Sequence, residues 1–178
     1  MKIAQYQASQ AETVIELFAN VFSDSEGADE GQVIARLVDD LITTTDSKDL
    51  IGFVATENEF VIGCIFFSRL VTANNANAFI LSPVAINTEN QGQGIGQKLI
   101  LEGLSYLKAT GVERVFSYGD PNYYNKVGFK QINDAIITAP FTLTYPEGWI
   151  AQTLNEVEIS KQDSVISCVD ALNKQKYW

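Results

Sequence analysis

Apolar residues change their period several times along this chain, and each change marks an element. Lys2 to Tyr6 reads as a short first strand, after which Val14, Leu17, Phe18, Val21 and Phe22 recur at helical spacing and give one amphipathic face. Beyond the polar break "SDSEGADEG", a second helix carries Val33, Ile34, Leu37, Val38, Leu41 and Ile42 on its apolar side. The loop "TTTDSKD" ends it, and "LIGFVAT" and "FVIGCIFFSRL" follow as two strands joined by "ENE", a hairpin. A third strand, "AFILSPVAI", is rich enough in Ile, Leu, Phe and Val to be buried on both faces. Its Pro83 cannot donate to a ladder, so the strand should bulge or part from a neighbour there.

Ile95, Leu99, Leu104 and Leu107, with Ile100 beside them, then predict a helix reaching about Ala109. "TGVERVFSY" is a turn and a further strand. "DPNYYNKV" reads as a short helix with an acidic cap and proline in its first turn, closed by "GF". In the remainder, "TLTYPEGWI" and "EVEIS" are weak signals, and a last helix is expected around Val165 to Leu172. The order β-α-α-β-β-β-α-β-α-β mixes a hairpin with helical crossovers. It predicts an α+β fold of three-layer α/β/α type with a mixed sheet, as a single domain over residues 1–178 without repeats or linkers.

Composition narrows the chemistry. The 178 residues are 46% apolar, enough for a real core. Twelve Lys plus Arg against 22 Asp plus Glu leave a formal charge of −10, which disfavours nucleic acid and anionic membrane and would welcome a cationic or amine-bearing partner. An acidic surface also serves solubility, so charge alone assigns no function. Cys64 lies in the apolar run "FVIGCIFF" and Cys168 on the expected last helix; both read as small buried hydrophobes, not as a disulfide framework. Neither a signal-peptide pattern at the N-terminus nor a membrane-spanning run is seen, so a cytoplasmic location is expected. The absence of histidine removes the commonest general base, the histidine-dependent nucleophile systems and most catalytic zinc sites, and no metal site is expected.

One stretch asks for a ligand. "ENQGQGIGQKL", Glu89 to Leu99, packs three glycines into five positions and runs straight into a helix. A dinucleotide fingerprint starting at Gly92 needs a third glycine at position 97, which is Gln97, and no glycine here is followed by Lys and then Ser or Thr as a Walker loop requires. What remains is an amide-rich turn, Gln91, Gly92, Gln93, Gly94, Ile95, Gly96 and Gln97, able to hold a pyrophosphate on backbone N–H groups and the helix dipole. Taken alone, these glycines could equally serve a tight strand-to-helix turn.

Gln91, Gly94 and Gly96 match the Q/R-x-x-G-x-G/A signature of the GNAT superfamily of N-acetyltransferases, and "LSPVAINTENQGQGIGQKLI" is similar to that family's main coenzyme A segment. "GDPNYYNKVGF" resembles its Y-x-x-x-G-F element, with Tyr124, Gly128 and Phe129 on the pattern; "GDP-YY---GF" with "EGL" resembles the branch of small bacterial acetyltransferases called YhbS-like. The resemblance is concentrated in Phe79 to Phe129, and residues 134–178 form an extension of unassigned role that offers surface for a homodimer.

The resemblance implies a sheet splayed at an acetyl-CoA site. Backbone groups of Val84 and Ile86, with Ala85 between them, would pair with the pantetheine arm, and the amides of 91–97 would hold the pyrophosphate. The Val84 amide would polarise the thioester carbonyl, and Tyr124 would protonate the leaving thiolate. Tyr123 is expected to pack. Glu30 is the candidate base, with Glu26 or water chains as alternatives. The implied acceptor is an amine, on a small molecule or on a protein N-terminus or lysine. The other reading is a non-catalytic acyl-CoA-sensing module of the same fold.

Overall fold

The computed structural model describes residues 1–178. Eight strands, β1 (Lys2–Gln5), β2 (Leu50–Glu57), β3 (Phe60–Thr72), β4 (Ala78–Ile86), β5 (Arg114–Tyr118), β6 (Lys130–Gln131), β7 (Trp149–Thr153) and β8 (Val165–Cys168), form one sheet in the order β1-β2-β3-β4-β5-β7-β6, with β8 paired to β3. Packing divides the chain into two compact units, residues 1–67 with 83–103 and residues 68–82 with 104–178; β3 and β4 run through both.

The first unit opens with β1 (Lys2–Gln5), antiparallel to β2 (Leu50–Glu57) with Lys2 opposite Thr56. Between them lie α1 (Ala11–Glu26) and α2 (Ala28–Thr44). The polar break expected between these helices shrinks to one residue, Gly27, at φ +101°. α2 then starts with Asp29 and Glu30 in its first turn, where negative charge complements the helix N-terminus. The two helices also cross very closely at Gly31, where a Cβ would collide with the Ser23 side chain and the Ala19 carbonyl. Val14, Leu17, Phe18 and Val21 of α1 and Ile34, Leu37, Val38 and Leu41 of α2 are buried, as the helical spacing predicts. Phe66, on β3 (Phe60–Thr72), receives Phe18 in a stacked contact and Tyr6 edge-on at 5.2 Å. The β2–β3 hairpin turns through Asn58 and Glu59, both at positive φ. The end of β4 (Ala78–Ile86) and most of α3 (Ile95–Ala109) complete this unit.

The second unit is built on β5 (Arg114–Tyr118), parallel to the first half of β4 and antiparallel to β7 (Trp149–Thr153). The two-residue β6 (Lys130–Gln131) lies on the far side of β7. Its core stacks Phe116 on Trp149 at 5.2 Å, with Trp178 edge-on to Trp149. Here the structure corrects an expectation: Val165–Cys168 is not helix but a strand, β8, antiparallel to the end of β3, and only a short turn at Asp170–Leu172 is helical. Val165, Val169 and Leu172 do recur at helical spacing. Val165, Ile166 and Val169, however, are β-branched and lose rotamer freedom in a helix, and Leu70 to Thr72 offer Val165 to Cys168 a ladder. Cys168 is therefore half-buried on a strand, whereas Cys64 is fully buried as expected.

Candidate active site

In the second unit, the parallel ladder between β4 and β5 pairs Ala78 with Arg114 and ends at Leu81 opposite Ser117. The Ser117 hydroxyl donates to the Leu81 carbonyl at 2.8 Å, closing the ladder with a side chain. Pro83 follows two residues later. In the first unit, the Asn87 N–H donates to Ile62 of β3 at 2.9 Å. Leu81 faces β5, and in an unbroken pleat Asn87, six residues on, would face the same side. One step of alternation is therefore lost in the stretch that contains Pro83, the bulge its missing N–H predicts.

The direction of the Asn87 bond fixes its neighbours. N–H and C=O of one strand residue point the same way, and those of the next point oppositely. Ala85 thus faces β3, while Val84 and Ile86 turn their backbone groups away from it. The Ile86 carbonyl is already taken by the Gln91 side-chain amide at 3.0 Å, which leaves its N–H. Gln91 consequently anchors the turn to the strand end by its side chain.

The turn itself is held from below. Asn87 Oδ1 accepts the Glu89 N–H, and Thr88 donates its hydroxyl to Asp24 at 2.7 Å. Gly92 and Gly94 then sit at φ +73° and +75°, a region costly for any residue with a Cβ, yet a Cβ built at either would meet nothing within 4 Å. Gly94 accepts the Lys98 N–H as the cap of α3 and has no side chain to satisfy the donors of the first turn. Gly94, Ile95, Gly96 and Gln97 thus carry N–H groups without intrahelical acceptors at the positive end of a 15-residue helix, with Ile95 and Gly96 themselves buried. Gln91, Gly92 and Gln93 are exposed, and no acidic side chain belongs to residues 91–97. The donor set fits a pyrophosphate.

Tyr124 belongs to the second unit, as the last residue of α4 (Pro121–Tyr124). Asp120 caps this helix through the Asn122 N–H, and Pro121 occupies its first position. A turn at Asn125–Val127 leads to Gly128 at φ +97°, which reverses the chain and sends the buried Phe129 back against the Tyr124 ring at 5.7 Å. Tyr123 packs edge-on to Tyr124 at 5.1 Å. Gly119 is pressed so closely on the same ring that a Cβ there would come within 2.7 Å of it. Burial pushes the Tyr124 phenol up to about 12, opposed by the Ser117 hydroxyl and helped by Tyr123. The group stays protonated at neutral pH, the state a proton donor needs.

Glu30 is half-buried in the first turn of α2, in the first unit, and Glu26 is exposed in the last turn of α1. Ser117, Gly119 and the capping Asn87 escape a reading of the sequence. A serine in a strand and a glycine after it carry no signal until the ladder end and the tyrosine ring they touch are in view.

Residues 48–131 match the family model described as acetyltransferase (GNAT) domain. The chain is similar to "Uncharacterized N-acetyltransferase YhbS" of Escherichia coli, at 35% identity over 103 residues, 57% of this chain and 60% of that protein. The chain thus spans less than two thirds of the length of that relative. It is also 28% identical over 152 residues to "Uncharacterized N-acetyltransferase YjhQ" of Escherichia coli, covering 82% and 80% of the two chains. Among solved structures, a GNAT family acetyltransferase from Brucella melitensis in complex with acetyl-CoA superposes with a TM-score of 0.74 at 25% identity, covering 96% of this chain and 97% of that one. Escherichia coli YhbS in complex with CoA superposes at 0.78, with 24% identity and coverage of 97% and 92%, and shares the fold. No helix is long and apolar enough to cross a membrane.

Proposed function

We propose that the protein is an N-acetyltransferase that moves an acetyl group from acetyl-CoA to an amine by direct attack with both reactants bound. The observation that carries this reading is the turn at Gly92 and Gly94, with positive φ and open space, leading into a helix whose first N–H groups have no intrahelical acceptors. The acetyl-CoA complex of the Brucella melitensis neighbour supports it.

Acetyl-CoA supplies an activated thioester. Its pyrophosphate would lie on the amides of Gln91 to Gln97, and its pantetheine arm along Val84, Ala85 and Ile86. The directions of the Val84 and Ile86 backbone groups support that arrangement. The Val84 N–H would polarise the thioester carbonyl, so that much of the rate comes from orientation and one well-placed donor. Tyr124, protonated at neutral pH, would hand its proton to the departing sulfur. Glu30 is the proposed acceptor of the proton lost by the amine. The location proposed is the cytoplasm, and residues 134–178 are the proposed surface for a homodimer.

The test is a thermal shift with acetyl-CoA, with NADH and ATP as controls. At about 100 times the dissociation constant a ligand adds roughly 2.7 kcal/mol, which for a domain of this size raises the midpoint by roughly 5 to 11 °C. A shift selective for acetyl-CoA, followed by CoA release with an amine, supports the reading. An equal shift with ATP, or none at millimolar acetyl-CoA, overturns it. A selective shift without turnover on any amine favours the sensing module.

A further inference from the structure

The bond that closes the β4–β5 ladder also settles which way a second proton points. The fully buried Ser117 hydroxyl has one hydrogen, and the Leu81 carbonyl, which can only accept, holds it at 2.8 Å. Toward any other partner Ser117 offers lone pairs alone. That partner is Tyr124. Ser117 and Gly119 lie two residues apart at the end of β5, and the Gly119 N–H donates to the Gly148 carbonyl at 3.0 Å, which carries the pairing with the β7 side past Tyr118. Their Cβ directions therefore share one side of the sheet. The Tyr124 ring covers that side, since a Cβ on Gly119 would come within 2.7 Å of it, and its phenol hydrogen-bonds the Ser117 hydroxyl. With the serine hydrogen on Leu81, the phenol is the donor of that bond.

Three further groups pack on the same ring: Tyr123 from α4, Gly119 from the end of β5 and Phe129 ahead of β6. Of these Tyr123 alone titrates. Burial pushes the phenol up, the Ser117 hydroxyl opposes it, and Tyr123 adds to the rise. An ionised Tyr124 would find a donor beside it in Ser117 once that hydroxyl turns from the Leu81 carbonyl. The turn is favoured because a hydrogen bond to an ionised acceptor is roughly twice as strong as one between neutral groups. Leu81, Ser117 and Tyr124 all belong to the second unit.

We propose that Ser117 is a positioning residue for Tyr124: its hydroxyl accepts the phenol proton in the resting protein and turns to donate to the phenolate once that proton has left. The proposal rests on the acetyltransferase reading for the destination of the proton, the departing sulfur, and on the geometry alone for the pair. In the step itself the Tyr124 O–H bond breaks and an S–H bond forms on coenzyme A, so the negative charge passes from sulfur to the phenol oxygen. Ser117 exchanges its bond to the Leu81 carbonyl for one to that oxygen and is not consumed. A proton from water restores the phenol, balanced by the proton that the amine releases through the base.

The experiment reads the ionisation of the phenol directly, by fluorine NMR on the full chain carrying 3,5-difluorotyrosine at position 124, whose phenol ionises nearer neutral pH. Loss of the serine donor in Ser117→Ala should lower the ionisation constant roughly ten-fold, a midpoint about one pH unit higher. Ser117→Thr, which returns the hydroxyl, should bring the midpoint back. Ser117→Cys fills the site but donates weakly; it should move in the direction of alanine and serves where the alanine variant does not fold. A midpoint unmoved by alanine and cysteine, or one displaced as far by threonine as by alanine, overturns the proposal. An acetyl-CoA thermal shift on the same proteins judges the acetyltransferase reading separately: its absence removes the sulfur as the destination of the proton, whereas an unmoved midpoint removes Ser117 from the pair.

Discussion

Ser117 and Leu81 meet at the last register pair between β4 and β5, where the serine hydroxyl takes the leucine carbonyl at 2.8 Å. Ser117 is fully buried, so the bond it makes is shielded from water. Where a strand leaves its partner, the final carbonyl loses its ladder donor, and a buried polar group without a partner costs about 1–3 kcal/mol. The substitution Ser117→Ala should therefore lower stability by that amount, read as a midpoint roughly 2 to 12 °C lower. A threonine at the same position, which keeps the hydroxyl, should recover most of the loss. Alanine as stable as the wild type would show that the parting of the strands needs no side-chain closure.

Gly94 separates architecture from ligand binding. At φ +75° alanine pays a conformational cost of about 1–2 kcal/mol, while its Cβ meets no atom of the protein within 4 Å. The free protein should therefore lose only a few degrees in the substitution Gly94→Ala. Acetyl-CoA affinity should fall much more, roughly ten-fold or beyond, because the methyl group stands where a phosphate must approach the backbone. Titration of both variants by calorimetry decides the matter. An unchanged dissociation constant would mean that the glycine serves the turn alone.

Much of this frame is legible in the sequence because it is local. Val14, Leu17, Phe18 and Val21 repeat every turn and are buried on α1; "AFILSPVAI" is β4 residue for residue; Pro83 marks the interval where the pleat slips. The glycines at 92 and 94 sit at positive φ, which their lack of a Cβ permits. The expectations that needed correction concern residues whose fate is set at a distance. Val165 to Cys168 carry a helix-like spacing but pair with β3 almost 100 residues earlier. The break between α1 and α2 looked long because its residues are polar, yet polar residues continue a helix whose outer face is solvated. Tyr118 and Tyr145, 27 positions apart, share a bond that no local pattern suggests.

The same limit hides the ion pair of Arg114 and Asp163. Their side chains are almost wholly buried, 3.0 Å apart, with Asn74 also on the carboxylate and Thr153 and Asn155 on the guanidinium. Replacing both partners by apolar residues of similar volume could be nearly neutral, but removing one strands a buried charge at a cost of about 3–5 kcal/mol. Asp163→Asn should show that loss in urea unfolding. A loss within about 1 kcal/mol, the range of an exposed pair, would mean that water reaches the guanidinium.

The pH dependence of Tyr124 follows from the sign of its displacement. Burial holds the phenol up to about 12, above its ordinary value of 10, so the folded state favours the protonated form. That preference is fully present below pH 10 and is lost as pH rises through about 12. A donor of this kind keeps its proton over the whole neutral range and is not the source of any fall in rate there. Tyr124→Phe should therefore lower turnover by roughly 100- to 1000-fold while leaving the acetyl-CoA thermal shift in place. The ratio of wild-type to variant rates should stay flat from pH 6 to about 10, below the ionisation of a buried phenol. A ratio that collapses with a midpoint near neutrality would assign the proton to another group, and an undiminished rate in the phenylalanine variant would remove Tyr124 from the chemistry and leave it the packing role that Gly119 and Phe129 already give it.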